Sequence, residues 1–219
     1  MKKHTPETPL NVFDFKWRVA AEHEVYEEKP RRGRGARILY GRRGWYIRPK
    51  GAAVITRPLD NFPALFKQFA ETPKTPEGVR EFANRFGMLD EGSDESFSIW
   101  YEQIDAMRDG LAKVESGAWQ EAPEGYGTIA SKFVDVVLIN EIGRSRPSLK
   151  FRPRNLLAAM RLQFALWVSS PPGVKLRQCA WDGLWFMYGP GTGRRETAVY
   201  CSPKCQKAHQ YAKRKELKK

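Results

Sequence analysis

Pro171-Pro172-Gly173 limits what this chain can fold into more than any other stretch. Each proline lacks the amide hydrogen that a helix or sheet needs and collides with a preceding helical turn, and the glycine adds backbone freedom. Regular structure therefore ends here and restarts beyond. Upstream, residues 155–170 (NLLAAMRLQFALWVSS) are apolar on nearly every side, the pattern of a helix buried all round. Downstream, residues 174–219 carry all three cysteines, Cys179, Cys201 and Cys205. This division predicts an N-terminal domain over residues 1–170 and a small module over residues 174–219.

The N-terminal domain reads as α+β. FDFKWRVAAE alternates in part, like a strand. RILYGRRGWYIRP is two short aromatic runs around Gly41-Arg42-Arg43-Gly44, a hairpin pattern, and the β-branched AAVITRP is a further strand. Helices follow. In DNFPALFKQFAE, Asn61 is the expected cap, and Phe62, Leu65, Phe66 and Phe69 share one face. Thr75 caps the next helix, with Pro76 at its first position, Val79, Phe82, Ala83 and Phe86 on its apolar face, and Gly87 as its stop. Trp100, Ile104, Met107, Leu111 and Val114 stripe a third helix whose outer face is acidic. SKFVDVVLINEI and PSLKFRPR then read as strands joined by Gly143-Arg144-Ser145-Arg146.

Charge narrows the partner. The 219 residues include 38 Lys/Arg against 25 Asp/Glu, a net +13. Such a balance favours a polyanion, because neutralising phosphates releases their condensed counterions. Residues 29–50 hold nine basic side chains and residues 143–177 hold eight, with no acid in either. Residues 90–124 run the other way, with ten acids against Arg108 and Lys113. The acidic face around Glu102, Asp105 and Asp109 is a candidate protein contact, and the N-terminal domain is expected to take a protein partner or a small ligand. In the first basic block, Tyr40, Trp45 and Tyr46 either stack single-stranded bases or face a core.

Other classes are excluded by what is missing. No stretch approaches the roughly 18 apolar residues of a membrane helix. The first residues lack an apolar signal-peptide core, and an odd number of cysteines does not suggest a disulfide framework, so a cytoplasmic location is expected. Neither a phosphate loop nor a nucleophile elbow occurs, and no enzyme is expected. His23 lies among carboxylates in AEHEVYEE and reads as part of a charged, exposed strand or turn rather than a metal site.

In the module, LWFMY and ETAVY are β-prone runs around a glycine-rich loop at residues 189–193, and Ser202 can cap a helix that begins with Pro203. Cys179 precedes this hairpin, Cys201 follows it, and Cys205 falls in the first helical turn. That is a ββα, treble-clef-like order. So short a piece has little core, and one structural Zn2+ would supply the missing stability. A closed zinc site takes four ligands. His209, one turn beyond Cys205, is the first choice for the fourth because nitrogen and sulfur ligands dominate structural zinc. Asp182, at Cys-x-x-Asp, is the alternative. Without metal, Trp181, Leu184, Phe186, Tyr188 and Val199 would form a small dry core. Lys204, Lys207, Lys213, Arg214 and Lys215 are spread around the helix, and Arg194 and Arg195 sit on the loop before it. That distribution suits phosphate contacts better than base readout.

The stretch CAWDGLWF…RRETAVYCSPKCQKAHQYAKRK resembles the C-terminal finger of bacterial CGNR-type zinc-finger proteins, whose pattern is Cys-x-x-Cys, a hairpin, (F/Y)CS-x-x-C and a basic helix. EGVREFANRFGML and PSLKFRPRNLLAAMRLQFAL are similar to segments that precede such fingers. Asp182 stands where the pattern has its second cysteine, and Gln206-Lys207-Ala208 where it has Gly-Asn-Arg. The resemblance implies a bacterial cytoplasmic transcriptional regulator whose finger binds nucleic acid, duplex DNA before RNA, with Cys179, Cys201 and Cys205 as ligands. The alternative is a finger that docks a protein and makes no direct nucleic-acid contact.

Overall fold

The computed structural model describes residues 15–28, 44–57, 59, 62, 64–90, 94–117, 134–139 and 148–216. The architecture is mixed α+β, with five helices and three small antiparallel sheets among the described residues.

Strands β1 (Trp17–Glu28) and β2 (Gly44–Thr56) pair from Trp17↔Thr56 to Glu28↔Gly44. The second half of the expected hairpin and the further strand are thus one strand; of the turn expected at Gly41-Arg42-Arg43-Gly44, Gly44 begins β2 and the rest lies outside the described residues. Continuity needs one accommodation. Two steps on β1, from Ala20 to Glu22, face three on β2, from Ala53 to Lys50. Gly51, at φ 78°, absorbs the extra residue as a bulge, in a conformation that favours glycine. The two-residue β3 (Glu95–Ser96) pairs with Tyr46 and Ile47.

Helices α1 (Leu65–Glu71), α2 (Pro76–Phe86) and α3 (Phe97–Glu115) follow the expected periodicity. Val79, Phe82, Ala83 and Phe86 of α2 are buried, Thr75 Oγ1 accepts from the Gly78 amide at 3.1 Å, and Gly87 ends the helix. Helix α1 is capped from a distance. The expected cap, Asn61, lies outside the described residues, and the N-cap position is Ala64, which has no side-chain acceptor. Instead the buried Gln163 accepts from the Phe66 amide at 3.3 Å and donates to the Phe62 carbonyl at 2.9 Å. At the other end, the Arg108 guanidinium donates to the carbonyls of Ala70 and Thr72.

Strands β4 (Val134–Ile139) and β5 (Ser148–Pro153) form a second antiparallel pair, and the turn expected between them lies outside the described residues. Asn155 caps α4 (Leu156–Val168) through the Ala158 amide at 2.8 Å. This helix buries Leu156, Ala159 and Met160 in one cluster with Phe66, Phe69, Val79 and Trp100.

Beyond the prolines come β6 (Lys175–Gln178), β7 (Trp185–Tyr188) and α5 (Pro203–Glu216). The strand expected at ETAVY is not one. The partner of β7 is β6, which precedes Cys179. The carbonyls of Glu196 and Ala198 are instead bound by Arg177 Nη1 at 2.9 and 2.8 Å, so a side chain takes the place of a ladder. Strand β7 faces two ways, as alternation requires. Met187 joins the main core, whereas Phe186 and Tyr188 pack with the three cysteines in a second cluster. Trp185 donates to Glu71 Oε2 at 2.5 Å, and Lys67 lies over its ring, tying the segment to α1.

Candidate metal centre

Cys179 follows β6 directly, and the chain reverses within five residues. The Gly183 amide donates to the Cys179 carbonyl at 3.0 Å, the Cys179 amide to the Leu184 carbonyl at 2.9 Å, and the Leu184 amide to Asp182 Oδ1 at 3.1 Å. Gly183, at φ 69°, makes so tight a turn accessible. Asp182 is thereby aimed back toward Cys179. Opposite, Cys205 enters from the first turn of α5, where Ser202 Oγ accepts from its amide at 3.2 Å. Cys201 stands just before that cap.

Three sulfurs and one carboxylate oxygen converge there. The donor atoms of Cys179, Asp182, Cys201 and Cys205 all lie within 4.8 Å of one another. Cys201 Sγ is 3.3 Å from Cys205 Sγ, and Asp182 Oδ2 accepts from the Cys205 thiol at 3.1 Å and from the Cys201 thiol at 3.5 Å. A tetrahedral ion about 2.3 Å from each sulfur needs neighbouring donors roughly 3.5–3.8 Å apart. The four groups match such an ion in number and chemistry, and their separations, from 3.1 Å to at most 4.8 Å, lie on both sides of that range.

Crowding sets the protonation of the group. Burial pushes the Cys201 thiol well above its ordinary value, helped by the adjacent thiols and the Asp182 carboxylate. Burial likewise raises Cys205, against the Ser202 hydrogen bond. Burial also opposes charge on Asp182. The thiols of Cys205 and Cys179, the Leu184 amide and the Cys201 thiol outweigh it and hold the carboxyl below its usual range. A metal cation replaces those shared thiol protons when it binds.

His209 is not in the group. Its Nδ1 is 3.0 Å from the Tyr200 hydroxyl, and its ring is stacked on Trp181 at 5.8 Å. Among the described residues, the group that could hold a metal takes in Asp182, the alternative, and leaves out His209, the first choice. The reason is directional: residue 209 rides one turn up α5, away from the helix start, while the reversal at Gly183 turns residue 182 inward. The expected dry core is corrected as well. Phe186 and Tyr188 do pack around the cysteines, but Leu184 joins the main core, and Trp181 and Val199 are exposed.

The basic residues divide. Arg194 is half-buried; its Nε and Nη2 donate to the Cys201 carbonyl at 3.0 and 2.7 Å and its guanidinium lies over Phe186, so it braces the centre rather than reaching out for phosphate. Arg195, Lys204, Lys207, Lys213, Arg214 and Lys215 are exposed. A groove of about 760 Å³ beside the centre is lined in part by Arg195, Tyr200, Ser202, Pro203 and Gln206.

Elsewhere, His23 is buried rather than exposed, with Nδ1 3.0 Å from Asn84 Oδ1 on α2. Tyr40 lies outside the described residues. Tyr46 stacks on Tyr26, Arg48 pairs with Glu24 at 3.0 Å, and Trp45 is exposed. On the acidic face of α3, Asp105 is bound by Lys74 at 2.6 Å and Asp109 by Lys113 at 2.8 Å. No described helix is long and apolar enough to cross a membrane. Of the CGNR resemblance, it is the Cys/Asp cluster that the structure supports. Compared with family models, curated proteins and solved structures, the chain shows no match.

Proposed function

We propose that this chain is a zinc-finger nucleic-acid-binding protein, a bacterial regulator of transcription whose first ligand is duplex DNA. The observation that carries the reading is the junction at Cys205. The side chain that closes the four-donor cluster is also the one buried residue of α5, a helix that carries five exposed basic side chains. Bound zinc would hold the start of that helix rigid. Lys204, Lys207, Lys213, Arg214 and Lys215 would then neutralise backbone phosphates, with Arg195 contributing from the loop. Contacts of this kind set affinity and salt dependence without reading sequence. The N-terminal domain would bind the ligand or partner that regulates the finger.

Binding of a labelled duplex, followed by anisotropy from low to high salt, tests this. Affinity is expected to fall steeply with salt. Lys207→Gln and Arg214→Gln should each weaken binding and reduce the log–log slope by about 1. Absence of binding to duplex DNA and to RNA at low salt would refute the reading.

A further inference from the structure

Trp181 is both fixed and uncovered. It is the residue before Asp182 in the Cys179-Ala180-Trp181-Asp182 turn, so two members of the cluster flank it. The turn is held further by the Ala180 amide, which donates to the Val199 carbonyl at 2.9 Å. The residue is 45 % exposed, although an indole gains more from burial than almost any other side chain. It lies nearly parallel to the His209 imidazole, with ring centroids 5.8 Å apart and planes 29° apart. His209 is itself set by Tyr200, through the 3.0 Å hydrogen bond and an edge-on ring contact at 5.7 Å. Three rings in series therefore hold an indole out to solvent.

The surroundings are cationic. His209 belongs to α5, and Lys213 follows it by one turn on the same flank. Lys207 and Arg214 are exposed on the same helix, whose one acid is Glu216. An aromatic platform with Lys213 on its flank, on a helix that carries further cations around its axis, matches a strand that offers flat bases and phosphates together. An acidic peptide would satisfy the lysines and leave the ring unused.

The geometry points to Trp181 as a stacking platform for an unpaired nucleobase, with α5 holding the phosphates on either side of it. The inference rests on the nucleic-acid reading above and refines its ligand class. Duplex DNA engages the phosphate contacts alone, because both faces of a paired base are covered by its neighbours. A single strand, or a duplex with an unpaired position, also gains the stack.

The experiment compares two labelled 12-mers of equal charge, oligothymidylate and a fully abasic deoxyribose-phosphate strand, binding to the full-length zinc-loaded protein at one salt concentration. The wild type is expected to prefer oligothymidylate by about tenfold, the order of one base–aromatic stack. Trp181→Leu should lose that preference while keeping its affinity for the abasic strand and its salt slope. Trp181→Phe, which keeps an aromatic face, should retain most of it, and one zinc per chain in both variants checks that the turn is intact. Equal binding of the two strands by the wild type, or a preference that survives Trp181→Leu, overturns the inference and leaves the phosphate-binding reading standing. Failure of both strands and of duplex DNA to bind at low salt overturns both.

Discussion

Asp182 and His209 separate at the residue scale. Both are a short reach from cysteines in sequence, yet only Asp182 shares the site with them. Zinc analysis of the purified protein should find about one ion per chain. Cys201→Ser and Asp182→Ala should lose it or bind it far more weakly, and Asp182→Cys should tighten it, because a thiolate restores the usual sulfur-rich set. His209→Ala should keep the ion; its loss would reverse the assignment. Glu95 makes a second prediction. It is buried, accepts from the Leu89 and Asp90 amides, and is pushed up to about 7, chiefly by burial and against those two hydrogen bonds. An acid whose folded value is raised holds its proton more tightly in the folded state. Its contribution is therefore full below the unfolded value of 4.5 and lost as pH rises to 7, a change of about 3 kcal/mol. His23 works oppositely, since burial lowers its value and stability falls as pH drops below 6.5. Subtracting the urea stability curve of Glu95→Gln from that of the wild type isolates the contribution of Glu95. A flat difference between pH 4.5 and 7 would count against it.

At the scale of elements, α2 shows how closely a local stop signal is tied to packing. Gly87 ends the helix at φ 98°, and a Cβ there would lie 2.6 Å from Trp17 Nε1. Trp17 spans the contact between β1 and the chain after α2, donating to the Met88 carbonyl at 3.2 Å. Gly87→Ala would thus combine left-handed backbone strain with a displaced core indole. The expected cost is about 3 kcal/mol, read as a lower urea midpoint at unchanged slope. Thr75→Ala at the other end removes only a cap, at about 1 kcal/mol. If the two cost the same, Gly87 is acting as a simple helix stop.

Across the whole molecule, two cores of unequal kind share β7. The larger is made of aromatic and aliphatic side chains from α1 to α4 and the first sheet. The smaller holds five buried residues, three of them cysteines, so a metal joining the sulfurs would supply much of its cohesion. A chelator should therefore act regionally. In hydrogen exchange, residues 179–216 should lose protection first, while α1 to α3 remain slow to exchange. Uniform loss across the chain, or none, would contradict a centre that organises only its own segment.

Some of this was legible in the chain itself because the signals are short-range. Thr75 with Pro76, Gly87, and Ser202 with Pro203 act within a turn of their own helices, and each does locally what its chemistry predicts. The stripes of α2 and α3 and the gathering of three cysteines were legible for the same reason: periodicity and spacing encode which side chains lie together. Tertiary structure decided the rest, wherever a group had more than one possible partner. Gln163 and Arg108 cap a helix that lies 97 and 38 residues away, β6 displaced ETAVY as the partner of β7, and His23 was buried against α2. Asp182 joined the three cysteines because the turn at Gly183 points it inward, and the same turn leaves Trp181 outside. Short-range order follows from residue chemistry, but which distant group satisfies a donor, a strand edge or a ligand set depends on how the chain closes in space.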